Sequence, residues 1–209
     1  MTRVIAFVSS KGGVGKSTLS ACIAVEAVRA GHSVYLLDLD PQQSTAAWWR
    51  RRKGPDNPLL ATGVESVSRA LRAIRTKKAE RDFLIVDTPG SFMAVIDDAI
   101  ENADCVAIVV QASAKDLEAQ GAVEGLVTKA KKQAKTVYVI NRVNPRSALT
   151  KAAADAVTSK SIRLPVTICD RADYVRADAE GKTANETTKA ATTEIRALWR
   201  TLEEIANHE

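Results

Sequence analysis

Ser10-Lys11-Gly12-Gly13-Val14-Gly15-Lys16-Ser17-Thr18 follows directly on the apolar run Val4-Ile5-Ala6-Phe7-Val8. Three glycines in such a segment let the backbone curl until successive N–H groups face inward onto an anion. An apolar strand before it and a helix after it place the curl at a helix N-terminus, whose partial positive charge favours phosphate. In a loop of this kind Lys16 reaches the terminal phosphates and the Ser17 hydroxyl is a Mg²⁺ ligand. The spacing G-x-x-x-x-G-K-[ST] asks for glycine at position 10. This chain has Ser10 there, and a second lysine, Lys11, opens the loop.

Apolar runs alternate with helical patterns along the whole chain. Short Val- and Ile-rich runs at Val4–Val8, Val34–Leu37, Phe83–Val86, Cys105–Val110, Val137–Ile140 and Pro165–Ile168 suit a parallel sheet buried on both faces. Helical spacing covers 17–30, 43–53, 65–79, 92–101, 115–133 and 147–160, with Gly31 placed to end the first. The pattern predicts an α/β chain of the P-loop NTPase fold. Its doubly wound, mostly parallel sheet carries helices on both faces, in a single domain over 1–209. Gly54-Pro55-Asp56-Asn57-Pro58 reads as a turn-rich connection within that domain. A last helix is expected over 186–206, where Ile195, Leu198, Trp199, Leu202 and Ile205 form one stripe. Glu203, Glu204 and Glu209 at its end, and a polar face without basic enrichment, favour core packing over a membrane anchor.

No apolar run approaches membrane-spanning length, and residues 3–8 are expected to form a strand, not a leader. Cys22, Cys105 and Cys169 are widely spaced, so neither a disulfide framework nor a metal cage is indicated, and a cytoplasmic location is expected. His32 and His208 stand alone and are read as non-ligands. The net charge of +5 is uneven. Residues 50–81 carry ten Lys/Arg against Asp56, Glu65 and Glu80, and residues 129–176 carry eleven against Asp155, Asp170 and Asp173. Such stretches are either solvated helix faces or a footprint for nucleic acid. The candidates are Lys129, Lys131, Lys132, Lys135, Arg146 and Lys151, with Arg50–Lys53 as a second group.

Two further segments carry chemistry. Asp38 and Asp40 end the second strand in Asp38-Leu39-Asp40-Pro41-Gln42, on one side of the chain. Ligands of open α/β sheets bind at that end. Alone, the pair reads better as the start of a turn, with Asp40 capping the next helix, and it is the phosphate loop that favours the catalytic reading. Phe83-Leu84-Ile85-Val86-Asp87 is four apolar residues followed by an aspartate. This Walker B arrangement brings Asp87 to the shell of a Mg²⁺ ion.

K-G-G-x-G-K-[ST] at residues 11–17, D-x-D-P-Q at 38–42 and Asp87-Thr88-Pro89 in that order resemble the ParA/MinD family of deviant Walker A ATPases, and most closely its small ParA-type partition members. The likeness extends to Asn141-Arg142 and to Thr167–Tyr174, and so runs over residues 3–186. It implies ATP and Mg²⁺ as cofactors. Lys11, Gly12, Gly13, Val14, Gly15, Lys16, Ser17 and Thr18 would hold the phosphates, and Asn141 the adenine. Ser17, Asp38, Asp40 and Asp87 would lie at or near the metal, and Lys11, Lys16 and Asp40 would carry catalysis. It further implies that Lys11 crosses to a partner's nucleotide, giving an ATP-sandwich homodimer that binds DNA non-specifically on the nucleoid. A ParB-type adaptor would stimulate weak hydrolysis in plasmid or chromosome segregation. No helix-turn-helix is expected before the first strand, Trp48 and Trp49 are expected to pack under the switch segment, and no basic terminal anchor like that of MinD is expected. The competing readings are a positioning ATPase for another cargo (division site, carboxysome or chemoreceptor cluster), an iron–sulfur reductase sharing the loop, and a non-hydrolysing nucleotide-gated module.

Overall fold

A computed structural model describes residues 1–53, 58–159 and 163–208. Most of the Gly54–Pro58 connection, Lys160 at the end of the expected 147–160 helix, and Glu209 lie outside them. The strands are β1 (Arg3–Val8), β2 (Val34–Asp38), β3 (Leu59–Ala61), β4 (Phe83–Asp87), β5 (Cys105–Gln111), β6 (Thr136–Val143) and β7 (Val166–Cys169). They form one sheet in the order β3-β2-β4-β1-β5-β6-β7, every pairing parallel. The α-helices are α1 (Lys16–Arg29), α2 (Ser44–Arg51), α3 (Val67–Thr76), α4 (Met93–Asn102), α5 (Ala114–Glu118), α6 (Gly121–Lys129), α7 (Ala148–Thr158), α8 (Ala172–Ala179) and α9 (Lys189–Asn207).

Strand alternation sorts the core into two layers. Ile5 and Phe7 point to one face, where α1 and α9 cover the sheet. Val4, Ala6 and Val8 point to the other, beneath α3, α4, α6 and α7. Parallel strands need crossovers, and helices on both faces leave the central strands no solvated side. This is why the expected strands are unbroken apolar runs. Gly31 sits at φ 97 just past α1, the left-handed position that a helix terminus asks of glycine.

The apolar stripe of α9 is core. Ile195, Leu198, Leu202 and Ile205 are fully buried against α1 and the sheet. Trp199 meets Phe83 edge-on at 5.0 Å and lies 5.6 Å from His32, whose Nε2 bonds Glu203 at 2.8 Å. Among the described residues no helix is long and apolar enough to cross a membrane.

Besides β6, which runs past the expected Ile140 to Val143, three elements differ from the sequence reading. β3 is a three-residue edge strand with one exposed and two half-buried residues, too short to show a pattern. α8 buries only Ala177 and so has no apolar stripe to read. The single helix expected over 115–133 is two, because Gln120 at the break turns fully inward to the phosphate loop. Leu202→Ala removes a fully buried side chain and should destabilise the fold by about 2–5 kcal/mol. Urea unfolding checks this, and an unchanged midpoint would contradict the packing of α9.

Candidate functional site

Phe7, Asp87 and Asp38 lie side by side across β1, β4 and β2. That one row of the sheet gathers the three sequence motifs, because each continues from the carboxyl end of one of these adjacent strands. Gln111 and Asn141 are likewise paired at the ends of β5 and β6. A cleft of 670 Å³ opens over these ends, lined by the phosphate loop, Asp40, Thr45, Trp48, Asn141 and the 169–178 segment.

The loop owes its curl to Gly13 at φ 75 and Gly15 at φ 100. Lys16, the first residue of α1, is buried, and its Nζ donates to Lys11 O at 3.0 Å. Burial lowers its pKa, opposed by the charges of Asp87 and Asp40. Ser17, Thr18, Gly12, Gly13 and Gly15 line the cleft, whereas Val14 faces the core. The loop's start is braced from outside: Ser10 N donates to Gln120 Oε1 at 3.1 Å, and Gln120 Nε2 to Asp116 O at 3.0 Å. Lys11 folds back onto this same brace. Its Nζ meets Asp116 Oδ1 at 2.6 Å and Lys115 O at 3.0 Å.

The three carboxylates sit in different settings. Asp38 is committed to the main chain: Oδ1 accepts from Asp40 N at 3.0 Å and Oδ2 from Ala46 N at 2.8 Å, while burial pushes its pKa up. Asp40 lines the cleft and also starts a turn, its Oδ1 accepting from Gln42 N at 2.9 Å. The cap position of α2 falls to Gln43, at φ 51, and not to Asp40. Asp87 is fully buried, and desolvation raises its pKa to about 7, opposed by the neighbouring hydroxyls of Ser17 and Thr45. Its Oδ2 accepts from Thr45 Oγ1 at 2.7 Å, while Oδ1 is buried without a partner among the described residues. An oriented carboxylate with one orphaned oxygen, next to the Ser17 hydroxyl, suits a hard cation that prefers oxygen and keeps its waters. The donor set therefore fits Mg²⁺.

Sequence reading missed the roles of Gln120, Thr45 and Gly90. Gln120 and Thr45 are polar residues turned inward, a type that periodicity treats as surface. Gly90 packs on the loop: a Cβ there would stand 2.6 Å from Gly12 N and from Lys11 C. Its place after Asp87-Thr88-Pro89 was the only signal available. Tyr174 is partly buried in the cleft with a hydroxyl that has no partner. Asn141 is 6% exposed, and its Nδ2 donates to Val14 O at 2.8 Å beside Gly15. It therefore locks the loop as well as lining the cleft. Cys169, Asp170 and Arg171 complete that end, with Arg171 forked onto Glu194 at 2.6 and 3.2 Å. Trp48 is buried and donates to Lys182 O at 3.0 Å, and Trp49 donates to Pro58 O at 2.7 Å, both packing as expected. Cys105 is fully buried inside β5, where no cluster shared between subunits could reach it.

Comparison with known proteins agrees with this geometry. Residues 5–184 match the family described as the CobQ/CobB/MinD/ParA nucleotide binding domain. A ParA protein of Rhizobium radiobacter is 32% identical over 113 residues, 54% of this chain and 50% of that protein. The maintenance of carboxysome distribution protein A of Halothiobacillus neapolitanus is 29% identical over 185 residues, 85% of this chain and 84% of the relative. Among solved structures, a plasmid partition protein of Borrelia burgdorferi bound to AMPPNP superposes with a TM-score of 0.76 at 18% identity, covering 98% of both chains. A chain of the Aquifex aeolicus MinC:MinD cell division protein complex gives 0.77 at 19%, covering 97% of this chain and 96% of that one. At these identities the structures establish the fold, and the match over residues 5–184 establishes more: the chain belongs to the CobQ/CobB/MinD/ParA family of nucleotide-binding domains.

Proposed function

We propose that this protein is a ParA-type ATPase that binds ATP with Mg²⁺, pairs with a second copy over the bound nucleotide, and hydrolyses it slowly until an adaptor completes the site. The observation that carries the reading is the buried Lys16 beside Asp87, whose free oxygen has no partner among the described residues. Of the three donors on the Lys16 ammonium, Lys11 O takes one, and the others suit phosphate oxygens. When bound, Mg²⁺ would neutralise charge building on the transferred phosphoryl group. Ser17 and Asp87 are the residues to hold it, with Asp38 shaping the loop that carries Asp40. Asp40 then orients the attacking water. With Nδ2 committed to Val14, Asn141 offers Oδ1, an acceptor that matches the amino group of adenine.

Lys11 has the wrong partner for an active site within one chain. Its pair with Asp116 is partly exposed, and exposed ion pairs contribute on the order of 1 kcal/mol or less. Redirecting Lys11 to a nucleotide on a partner is therefore inexpensive. DNA is the favoured surface for the dimer, and ion pairing narrows the candidate cations. Lys129 is held by Asp97 and Glu101, Lys132 by Ala103 O, Lys135 by His208 O, Arg51 by Asp178 and Arg52 by Glu186. Arg50, Lys53, Lys131, Arg146 and Lys151 are exposed and carry no ion pair among the described residues, and of these Arg146 and Lys151 stand where β6 leads into α7. A ParB-type adaptor and a plasmid or chromosome as cargo complete this reading. The carboxysome-distribution relative favours a second one, in which the same dimer moves another cargo. A pull-down of the cognate adaptor separates the two, since only the first calls for a partner that binds a centromere.

Lys16→Ala should abolish ATP binding in isothermal titration, and an unchanged dissociation constant would remove the assignment. Lys11→Ala should bind ATP as a monomer yet fail to dimerise. Light scattering with ATP and magnesium checks this, a normal dimer being the contrary result. DNA binding should need ATP, fall steeply with salt, and weaken in an Arg146→Ala/Lys151→Ala double variant. Salt-insensitive retention in a filter assay would dismiss the electrostatic account.

A further inference from the structure

Thr45 belongs to no motif in the sequence, yet it is the second residue of α2 and 1% exposed. Its Oγ1 donates to Asp87 Oδ2 at 2.7 Å and lies 3.4 Å from Ser17 O. Asp87 hangs from β4 and Ser17 from α1, so this one hydroxyl joins three elements of the cleft. The opposite oxygen of Asp87 is buried without a partner among the described residues. A donor on one oxygen fixes the rotation of a carboxylate and so fixes where the other oxygen points. The far end of α2 is anchored independently, by Trp48 Nε1 on Lys182 O and by Arg52 forked onto Glu186 at 2.7 and 2.9 Å. The hydroxyl is therefore not needed merely to keep α2 against the protein.

We propose that Thr45 is a positioning residue for the metal: through its hydroxyl it aims the free Asp87 oxygen at the cation's shell and ties the segment bearing Asp40 to that carboxylate. The inference rests on the reading of the cleft as a magnesium–nucleotide site. A threonine whose only role is packing would be replaced by isosteric valine without loss, whereas a donor would be replaced by serine.

The test is equilibrium binding of a fluorescent ADP analogue, which involves no turnover, titrated with MgCl₂ in wild type, Thr45→Val and Thr45→Ser, with circular dichroism to verify folding. In EDTA all three proteins should bind the nucleotide alike. The magnesium concentration at half-effect should rise roughly tenfold to hundredfold in Thr45→Val, the usual loss when a partner of a metal-binding group is removed, and return to near wild type in Thr45→Ser. A Thr45→Val midpoint at the wild-type value, or a serine variant as impaired as the valine one, overturns the proposal. Should Thr45→Val not fold, Thr45→Ala is titrated in its place with the same two outcomes. Wild-type protein that binds no nucleotide at all would instead overturn the reading of the cleft itself.

Discussion

Everything in the cleft depends on burying a lysine and an aspartate together at the end of three adjacent strands. Lys16 and Asp87 each lose hydration, and desolvation moves both toward neutrality: the amine's pKa falls and the acid's rises. Their mutual attraction opposes this, but neither group is saturated. A buried polar atom left unpaired costs about 1–3 kcal/mol, more for a charged one. A fold built for stability alone would have no reason to keep Asp87 Oδ1 orphaned. On the proposed reading, a cation at Asp87 Oδ1 and phosphate at Lys16 would recover that cost, which gives the site a physical source of affinity.

Main chain, more than side chain, sets the shape of this site. Gly90 packs against the backbone of Lys11 and Gly12, and any Cβ there would force the segment after Asp87 off the loop. Gly15 is left-handed and abuts the Asn141 amide. Asp38 uses both oxygens on backbone N–H groups of the next segment. The loop and the segment after Asp87 therefore touch directly, and Leu39 N bonds Asp87 O at 2.9 Å, which ties in the segment bearing Asp40. A displacement in any of them is felt by the other two, without a flexible side chain to absorb it.

What could be read from the chain was the part governed by local rules. Runs of Val and Ile gave the buried strands, Gly31 the end of α1, and glycine spacing the phosphate loop. The unread parts are those set by distant partners. Gln120 breaks a helix because its amide is called to Ser10, 110 residues away. Thr45 looks like a surface residue until Asp87 is placed beside it by the β2–β4 register. β6 was expected to end at Ile140 but continues to Val143 through an irregular pairing with β7, with Arg142 at φ 53. Asn141 lies within that irregular stretch and bonds Val14 O, 127 residues away, so its partner is not encoded nearby.

The charge count illustrates the same limit. Summed along the chain, residues 129–176 look like one basic surface. In space they are divided: Lys129, Lys132 and Lys135 are used to tie α6 and the start of β6 to α4 and to the end of α9. A cation already paired with a carboxylate or a helix-terminal carbonyl releases few counterions when a phosphate arrives, so it adds little to binding. The Arg146–Lys151 stretch has no such partners and stands at the nucleotide end of the sheet. Pairing two chains across that end would bring two such stretches onto one body, and two weak electrostatic contacts on one rigid particle bind far more tightly than either alone. In the proposed dimer, nucleotide occupancy would then control nucleic-acid affinity through geometry, with no change needed in either contact.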